Sequence, residues 1–322
     1  MQQEKVIVVG SGPCGMSAAI ELQKLGVQPL IIEKGNIVDA IYRYPTHQTF
    51  FSSSDRLEIG DVAFITEKHK PVRNQALAYY RAVAERKELR IHTFETVITV
   101  NRVEDRFHVV TTKHEYLADY VVIATGYYGQ PNMLNIPGEE LPKVSHYFKE
   151  AHPYFKRDVV VIGGKNSAVD AAMELHKAGA YVTVLYRGGQ YSESIKPWIL
   201  PEFDSLVQKE KVNMIFNATV CEITENAVFY KVGNEEKAIR NDFVFAMTGY
   251  RPDIDFLTSC GIEVDPKTGE PFYYEETYET NIAGLYVAGV VAAGFNNNKI
   301  FIENGRFHGV KIAESVSSNY KS

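Results

Sequence analysis

The run Gly10-Ser11-Gly12-Pro13-Cys14-Gly15 constrains this chain more than any other stretch, because of what flanks it. Before it stand four β-branched residues, Val6-Ile7-Val8-Val9, with no polar alternation, as a strand buried on both faces of a parallel sheet requires. After it, Met16 to Leu25 are good helix formers that stop at Gly26. In such a unit Gly10 permits the tight turn, Gly12 lets the backbone approach a pyrophosphate, and Gly15 lets the helix lie close to the strand. Phosphates then sit on the orphan N–H groups of the helix N-terminus. A second strand, Pro29 to Ile32, ends at Glu33, eighteen residues past Gly15. A carboxylate there is placed to accept hydrogen bonds from an adenosine ribose.

The pattern restarts about 150 residues later. Asp158 to Ile162 reads as a buried strand, Gly163-Gly164-Lys165-Asn166-Ser167-Ala168 as the turn, and Val169 to Lys177 as the helix, closed by Gly179. The next strand, Tyr181 to Tyr186, ends at Arg187, where the first unit has an acid. A guanidinium cannot accept a bond from a ribose hydroxyl, but it pairs well with a 2′-phosphate. The second unit is therefore expected to prefer NADPH to NADH, with Lys196 a further candidate for the same phosphate. Lys165 stands where the middle glycine belongs, so its side chain must point away from the phosphates or curl over them.

The rest of the chain is read around these units. Ile41 to Ser54 is aromatic and without period, and is expected to wall a flat cofactor, with His47 a satisfied polar residue in that loop. Pro71 to Glu88 reads as a helix, followed by strands at 90–92, 97–100 and 107–111 and a buried strand ending at Thr125-Gly126. Leu200 to Lys211 reads as a helix, and Phe243 to Gly249 repeats the Thr-Gly ending. Leu285 to Gly289 is expected to return to the first unit, ahead of a final helix from Ile300 to Ser317. That helix is expected to aim its N-terminal N–H groups at a developing negative charge. The fold expected is α/β, with two Rossmann-like dinucleotide-binding domains, the second (127–279) inserted in the first (1–126 and 280–322).

Composition excludes several classes. A net charge of −6 argues against a nucleic-acid surface. No apolar run approaches the roughly 18 residues of a membrane span, and the N-terminus lacks a signal-peptide core, so the cytoplasm is the expected compartment. Cys14, Cys221 and Cys260 are odd in number and far apart, suggesting neither a disulfide framework nor a zinc site.

Gly10-x-Gly12-Pro13-x-Gly15, Ala124-Thr125-Gly126, Gly163-x-x-x-x-Ala168, Met247-Thr248-Gly249 and Leu285-Tyr286-Val287-Ala288-Gly289 resemble the two-dinucleotide flavoprotein reductases of thioredoxin-reductase type. The likeness covers nearly the whole chain. Gly12-Pro13-Cys14-Gly15, Gly163 to Ala168 and the tail Ile300 to Gly309 look, more narrowly, like bacillithiol-disulfide reductases of the YpdA type. The resemblance implies FAD on Gly10, Gly12, Pro13, Gly15, Glu33, Lys34, Val97 (its backbone touching the adenine), Thr125, Gly126, Gly289 and Ile300. It implies NADPH on Gly163, Gly164, Lys165, Asn166, Ser167, Ala168, Arg187 and Lys196. It further implies a homodimer that passes hydride from NADPH through FAD to a low-molecular-weight disulfide.

Two departures sharpen the reading. The Cys-x-x-Cys of thioredoxin reductases is absent from Ser145 to Phe155, which removes the dithiol relay to thioredoxin. Val290 stands where the wider family has an Asp for the flavin ribityl chain. Cys14, at a helix N-terminus, is the candidate catalytic thiol, its thiolate favoured by backbone dipoles and attacking the substrate disulfide. The other reading of Cys14 is a small side chain packed in the turn. Alternatives for the whole chain are a flavin monooxygenase-like enzyme, a ferredoxin- or flavodoxin-NADP reductase, and a non-enzymatic redox sensor.

Overall fold

The opening apolar run forms the end of β1 (Gln2–Val9), which leads through the glycine turn into α1 (Pro13–Lys24) and β2 (Leu30–Ile32). These coordinates are a computed structural model describing residues 1–296 and 298–320. β1 and β2 pair in parallel, Ile7 opposite Leu30 and Val9 opposite Ile32. A short helix α2 (Asp39–Tyr42), helix α3 (Arg73–Arg86) and β3 (Arg90–His92) precede the strands β4 (Val97–Val103), β5 (Arg106–Thr111) and β6 (Glu115–Ile123). All six strands share one sheet, in the order β3-β2-β1-β6-β5-β4. β6 runs parallel to β1 from Tyr116 to Ile123, while its first residues pair antiparallel with β5.

The chain then builds β7 (Val144–Ser145), β8 (Asp158–Ile162), α4 (Asn166–Lys177), β9 (Tyr181–Leu185), α5 (Leu200–Gln208) and β10 (Val212–Ile215). Next come β11 (Ala218–Ile223), β12 (Ala227–Val232), β13 (Glu235–Arg240) and β14 (Phe243–Ala246). Here the parallel order is β10-β9-β8-β14-β7, with β11-β12-β13 a separate antiparallel sheet. The return carries α6 (Ile254–Ser259), β15 (Leu285–Val287), α7 (Ile302–Gly305) and α8 (His308–Tyr320). β15 closes the loop by pairing in parallel with β6.

The unbroken apolar runs are explained by burial on both faces of the sheet. Ile7, Val9, Leu30, Ile32, Val121 and Ile123 pack into a core with Phe107, Tyr116 and Val291. The alternate residues Val6, Val8, Ile31 and Val122 are equally inaccessible. Gly309 lets α8 lie on α1, since a Cβ there would fall 2.6 Å from the Cα of Ala18. Among the described residues no helix is long and apolar enough to cross a membrane.

Three expectations need correction. The chain divides into one unit of Met1–Arg43, His47–Gln130 and Tyr250 onward, and a second of Tyr44–Thr46 and Pro131–Gly249. Residues 250–279 therefore go with the first unit and not with the 127–279 domain, because Leu257, Cys260 and Ile262 bury themselves in the core of the first sheet. The final helix does not run unbroken from Ile300. It is split into α7 and α8, and the residue after α7, Arg306, turns its guanidinium to the carbonyls of Asp55 and Glu58. The four-residue α7 is capped from within, Asn304 accepting from the N–H of Phe301 at 2.7 Å. Helices α3 and α5 are also shorter than read, each ending before its last charged residues. Asn297, within the glycine- and asparagine-rich run, and residues 321–322 lie outside the described residues.

Candidate active site

Each unit carries a glycine turn at the end of a parallel strand, built the same way. Gly10 has φ +108°, and a Cβ on it would meet the carbonyl oxygen of Ala124 at 2.5 Å. Gly163 has φ +140°, and a Cβ there would meet the carbonyl oxygen of Met247 at 2.4 Å. Both positions combine a conformation that favours glycine with a neighbouring backbone that leaves no room for a side chain. The neighbours are the Ala124-Thr125-Gly126 and Met247-Thr248-Gly249 runs, so the repeated Thr-Gly ending belongs to the turn's packing.

In the first unit the turn has the form a pyrophosphate needs. A Cβ on Gly12 would meet no atom within 4 Å, so the space before the N-terminus of α1 is open. At Gly15 the same test finds the oxygen of Gly10 at 2.1 Å, holding helix against turn. Pro13 is the first residue of α1 and gives up no helical hydrogen bond there. Glu33 is buried, and its carboxylate accepts from the N–H and hydroxyl of Ser11 at 2.8 and 3.1 Å and from the N–H of Gly35 at 2.8 Å. The acid is thereby oriented beside the turn. Glu95, two residues before Val97, donates its N–H to the Glu33 carbonyl at 2.9 Å, so the start of β4 is tied to the same strand end. Lys34 is exposed, its Nζ next to Gly129. Ile300 is buried against Gly305. These residues fit a dinucleotide.

Cys14 sits between two glycines of the C-terminal segment. A Cβ on Gly289 would lie 2.8 Å from the Cys14 Cβ, and one on Gly305 would lie 2.9 Å from its Sγ. Burial pushes the thiol up to about 12. A stabilised thiolate is thus not what these surroundings favour; the helix N-terminus is outweighed by desolvation. The residue as a whole keeps part of its surface, but the sulfur is packed. Cys260 is buried too and pushed up to about 11, while Cys221 lies on β11 with its Sγ near the Thr219 carbonyl. All three are free thiols.

His308, which the sequence did not single out, accepts the N–H of Gly289 on Nδ1 at 3.2 Å and stacks on Tyr278 at 4.0 Å. Burial, then Lys311, lowers it to about 4. The one available signal was a polar residue opening an otherwise apolar helix face. Val290, in the Asp position, packs its side chain on the sheet core.

In the second unit Lys165 is the extended residue before α4, exposed and without a capping bond, and Ser167 is exposed beside it. Asn166 donates to the Ser194 carbonyl at 2.7 Å and accepts the Lys196 N–H at 2.9 Å, pinning that loop to the turn. The Lys196 ammonium lies 5.9 Å above the Trp198 ring. The Tyr186 ring covers Gly164, and Arg187 next to it is exposed. Ala168 is buried against Gly163 as the third glycine would be. Around the loop expected to wall a cofactor, Phe50 donates its N–H to the Pro71 carbonyl and Gln48 accepts from the Arg73 N–H. This ties the loop to the start of α3, while His47 is exposed.

Residues 7–289 match the family described as pyridine nucleotide-disulphide oxidoreductase. The chain belongs to this family. It is therefore an oxidoreductase, and FAD and NADPH are the family's cofactors. The chain is 61% identical over 98% of its length, and of the other's, to the bacilliredoxin reductase Bdr of Bacillus subtilis (strain 168). It superposes with TM-score 0.97 and 62% identity on the bacillithiol disulfide reductase Bdr (YpdA) from Bacillus cereus, covering 99% of this chain and 100% of that one. The thioredoxin reductase of T. acidophilum shares the fold at TM-score 0.78 and 24% identity, each chain covered in full. The family member described here thus has the thioredoxin-reductase fold without the Cys-x-x-Cys.

Proposed function

We propose that this oxidoreductase couples oxidation of NADPH to reduction of a low-molecular-weight disulfide, bacillithiol disulfide, giving NADP⁺ and two thiols with uptake of one proton. The observation that carries the reading is the full-length match to a bacillithiol disulfide reductase, in a chain whose cysteines offer no dithiol pair in sequence. When bound, FAD supplies the two-electron exchange between nicotinamide and disulfide.

The residues that hold FAD are Gly10, Gly12, Pro13, Gly15, Glu33, Lys34, Val97, Thr125, Gly126, Gly289 and Ile300. The turn amides receive the pyrophosphate, and Glu33, oriented by Ser11 and Gly35, keeps lone pairs for ribose hydroxyls. Gly163, Gly164, Lys165, Asn166, Ser167 and Ala168 bind the pyrophosphate of NADPH, and Arg187 with Lys196 binds its 2′-phosphate. Cys14 is the catalytic thiol of this reading, the one cysteine set in a dinucleotide turn. Its sulfur must lose a proton to attack a disulfide, so its reactivity depends on relief of the burial that holds it neutral. The enzyme works as a homodimer in the cytoplasm.

Steady-state NADPH oxidation by the flavin-loaded protein tests the reading. Bacillithiol disulfide is expected to stimulate it, and ferredoxin and dioxygen are not. A colourless protein that refuses FAD, or one indifferent to the disulfide, overturns it. A second reading, reduction of a bacilliredoxin protein, is favoured by the name of the Bacillus subtilis relative. Stimulation by oxidised bacilliredoxin alone, without the small disulfide, selects it. Cys14→Ala is expected to abolish turnover with FAD retained, and unchanged turnover removes Cys14 from the chemistry.

A further inference from the structure

A second cluster of reactive side chains lies on the first sheet, outside both glycine turns. His92 ends β3, Glu95 follows in the connection to β4, and His114 stands in the turn between β5 and β6. The Glu95 side chain is 2% exposed, whereas the two imidazoles are 40% and 43% exposed. The carboxylate is thus buried beneath two solvent-accessible imidazoles. Nδ1 of His92 is 3.4 Å from Glu95 Oε2, and Nδ1 of His114 is 3.2 Å from Glu95 Oε1. One ligating atom from each residue lies within 4.8 Å of the other two.

We infer that His92, Glu95 and His114 bind a divalent transition metal of the zinc class. Tetrahedral ligands at zinc bond lengths of about 2.0–2.1 Å stand about 3.4 Å apart. One atom from each of the three residues already lies within 4.8 Å of the other two, so small side-chain adjustments bring the set onto one ion. Two imidazoles and a carboxylate suit zinc, cobalt, nickel or copper better than calcium or magnesium, which take oxygen ligands. The outer shell is already built. Thr111 and Tyr116 donate hydroxyl hydrogen bonds to Glu95 Oε1 at 2.6 and 3.0 Å, fixing the carboxylate as ligating carboxylates are fixed elsewhere. Burial works against the charge on Glu95, but those bonds and His114 outweigh it and lower the group. Without an ion the same atoms form a hydrogen-bond network, Nδ1 of His92 lying 3.0 Å from the Tyr116 hydroxyl and Nδ1 of His114 3.2 Å from Glu95 Oε1; a metal takes the place of a proton at each imidazole. The ion would also brace Glu33, whose N–H donates to the His92 carbonyl and whose carbonyl accepts the Glu95 N–H, both at 2.9 Å.

The test is zinc titration of the chelator-stripped, flavin-loaded protein against a chromophoric chelator, with elemental analysis. One zinc per chain is expected, with Kd at or below about 10 µM. Affinity is expected to fall at least about tenfold in His92→Gln and His114→Gln, and to stay unchanged in Cys221→Ser. It is also expected to weaken as pH falls, because protons compete for both imidazoles. Binding weaker than that limit, or undiminished in both histidine variants, overturns the site and leaves a hydrogen-bond network only. Far-UV circular dichroism and retained flavin establish that each variant is folded.

Discussion

The N–H of Gly289 donates to Nδ1 of His308 at 3.2 Å, within a side-chain stack on Tyr278. This bond sets the proton of the neutral ring on Nε2, while burial, then Lys311, takes the ring down to about 4. The folded value lies below the unfolded value of 6.5, so the stability from the neutral ring is present above 6.5. It is lost as pH falls through about 4. The unfolding free energy from urea titrations is expected to fall by roughly 3 kcal/mol at most between pH 7 and pH 4 from this group. In His308→Leu that acid-sensitive part disappears, while stability at pH 7 falls by about 1–3 kcal/mol because the buried Gly289 N–H is left unpaired.

The contact of Cys14 with Gly305 predicts an asymmetric rescue. Gly305→Ala puts a methyl 2.9 Å from the Cys14 Sγ, costing about 1–3 kcal/mol by overpacking. Adding Cys14→Ala removes the sulfur and is expected to restore most of that loss in thermal unfolding. Gly289→Ala meets the Cys14 Cβ at 2.8 Å, with φ at +77°, so the same second change does not rescue it. Failure of Cys14→Ala to rescue Gly305→Ala would show that the sulfur is packed elsewhere.

A thiol held up to about 12 also sets the pH profile of modification. Alkylation of Cys14, followed by peptide mass spectrometry, is expected to be slow at pH 7 and to rise about tenfold per pH unit toward pH 11. Fast, pH-independent labelling at neutral pH would mean that the packed geometry opens readily.

Arg187 is exposed beside the second glycine turn. Arg187→Ala is expected to raise the KM for NADPH by about 10–100-fold, the value of a charge-assisted pair, and to leave that for NADH nearly unchanged. An equal effect on both coenzymes would move the 2′-phosphate site away from this residue.

Much of this architecture was legible because it rests on local rules. Unbroken β-branched runs, a glycine turn and a helix closed by glycine located β1, α1, β8 and α4, since each depends on neighbours within a few positions. The swap of Glu33 for Arg187 was legible for the same reason. The split of α7 from α8 was not, because Arg306 is drawn to carbonyls about 250 residues earlier. Residues 250–279 were misassigned because their apolar side chains carry no mark of which sheet they enter. The neutral state of Cys14 was hidden as well: a helix N-terminus favours its thiolate locally, and the glycines that bury it lie near the other end of the chain.

The amino-acid order by itself determined two dinucleotide turns, their repeat, and the charge that each strand end presents, because backbone freedom and side-chain type act over a handful of bonds. Only the tertiary structure decided that Gly289 and Gly305 enclose Cys14, that Gly289 pairs with His308, and that His92, Glu95 and His114 converge. Those relationships are set by close packing between segments far apart in sequence, where desolvation and fractions of an ångström outweigh local preference.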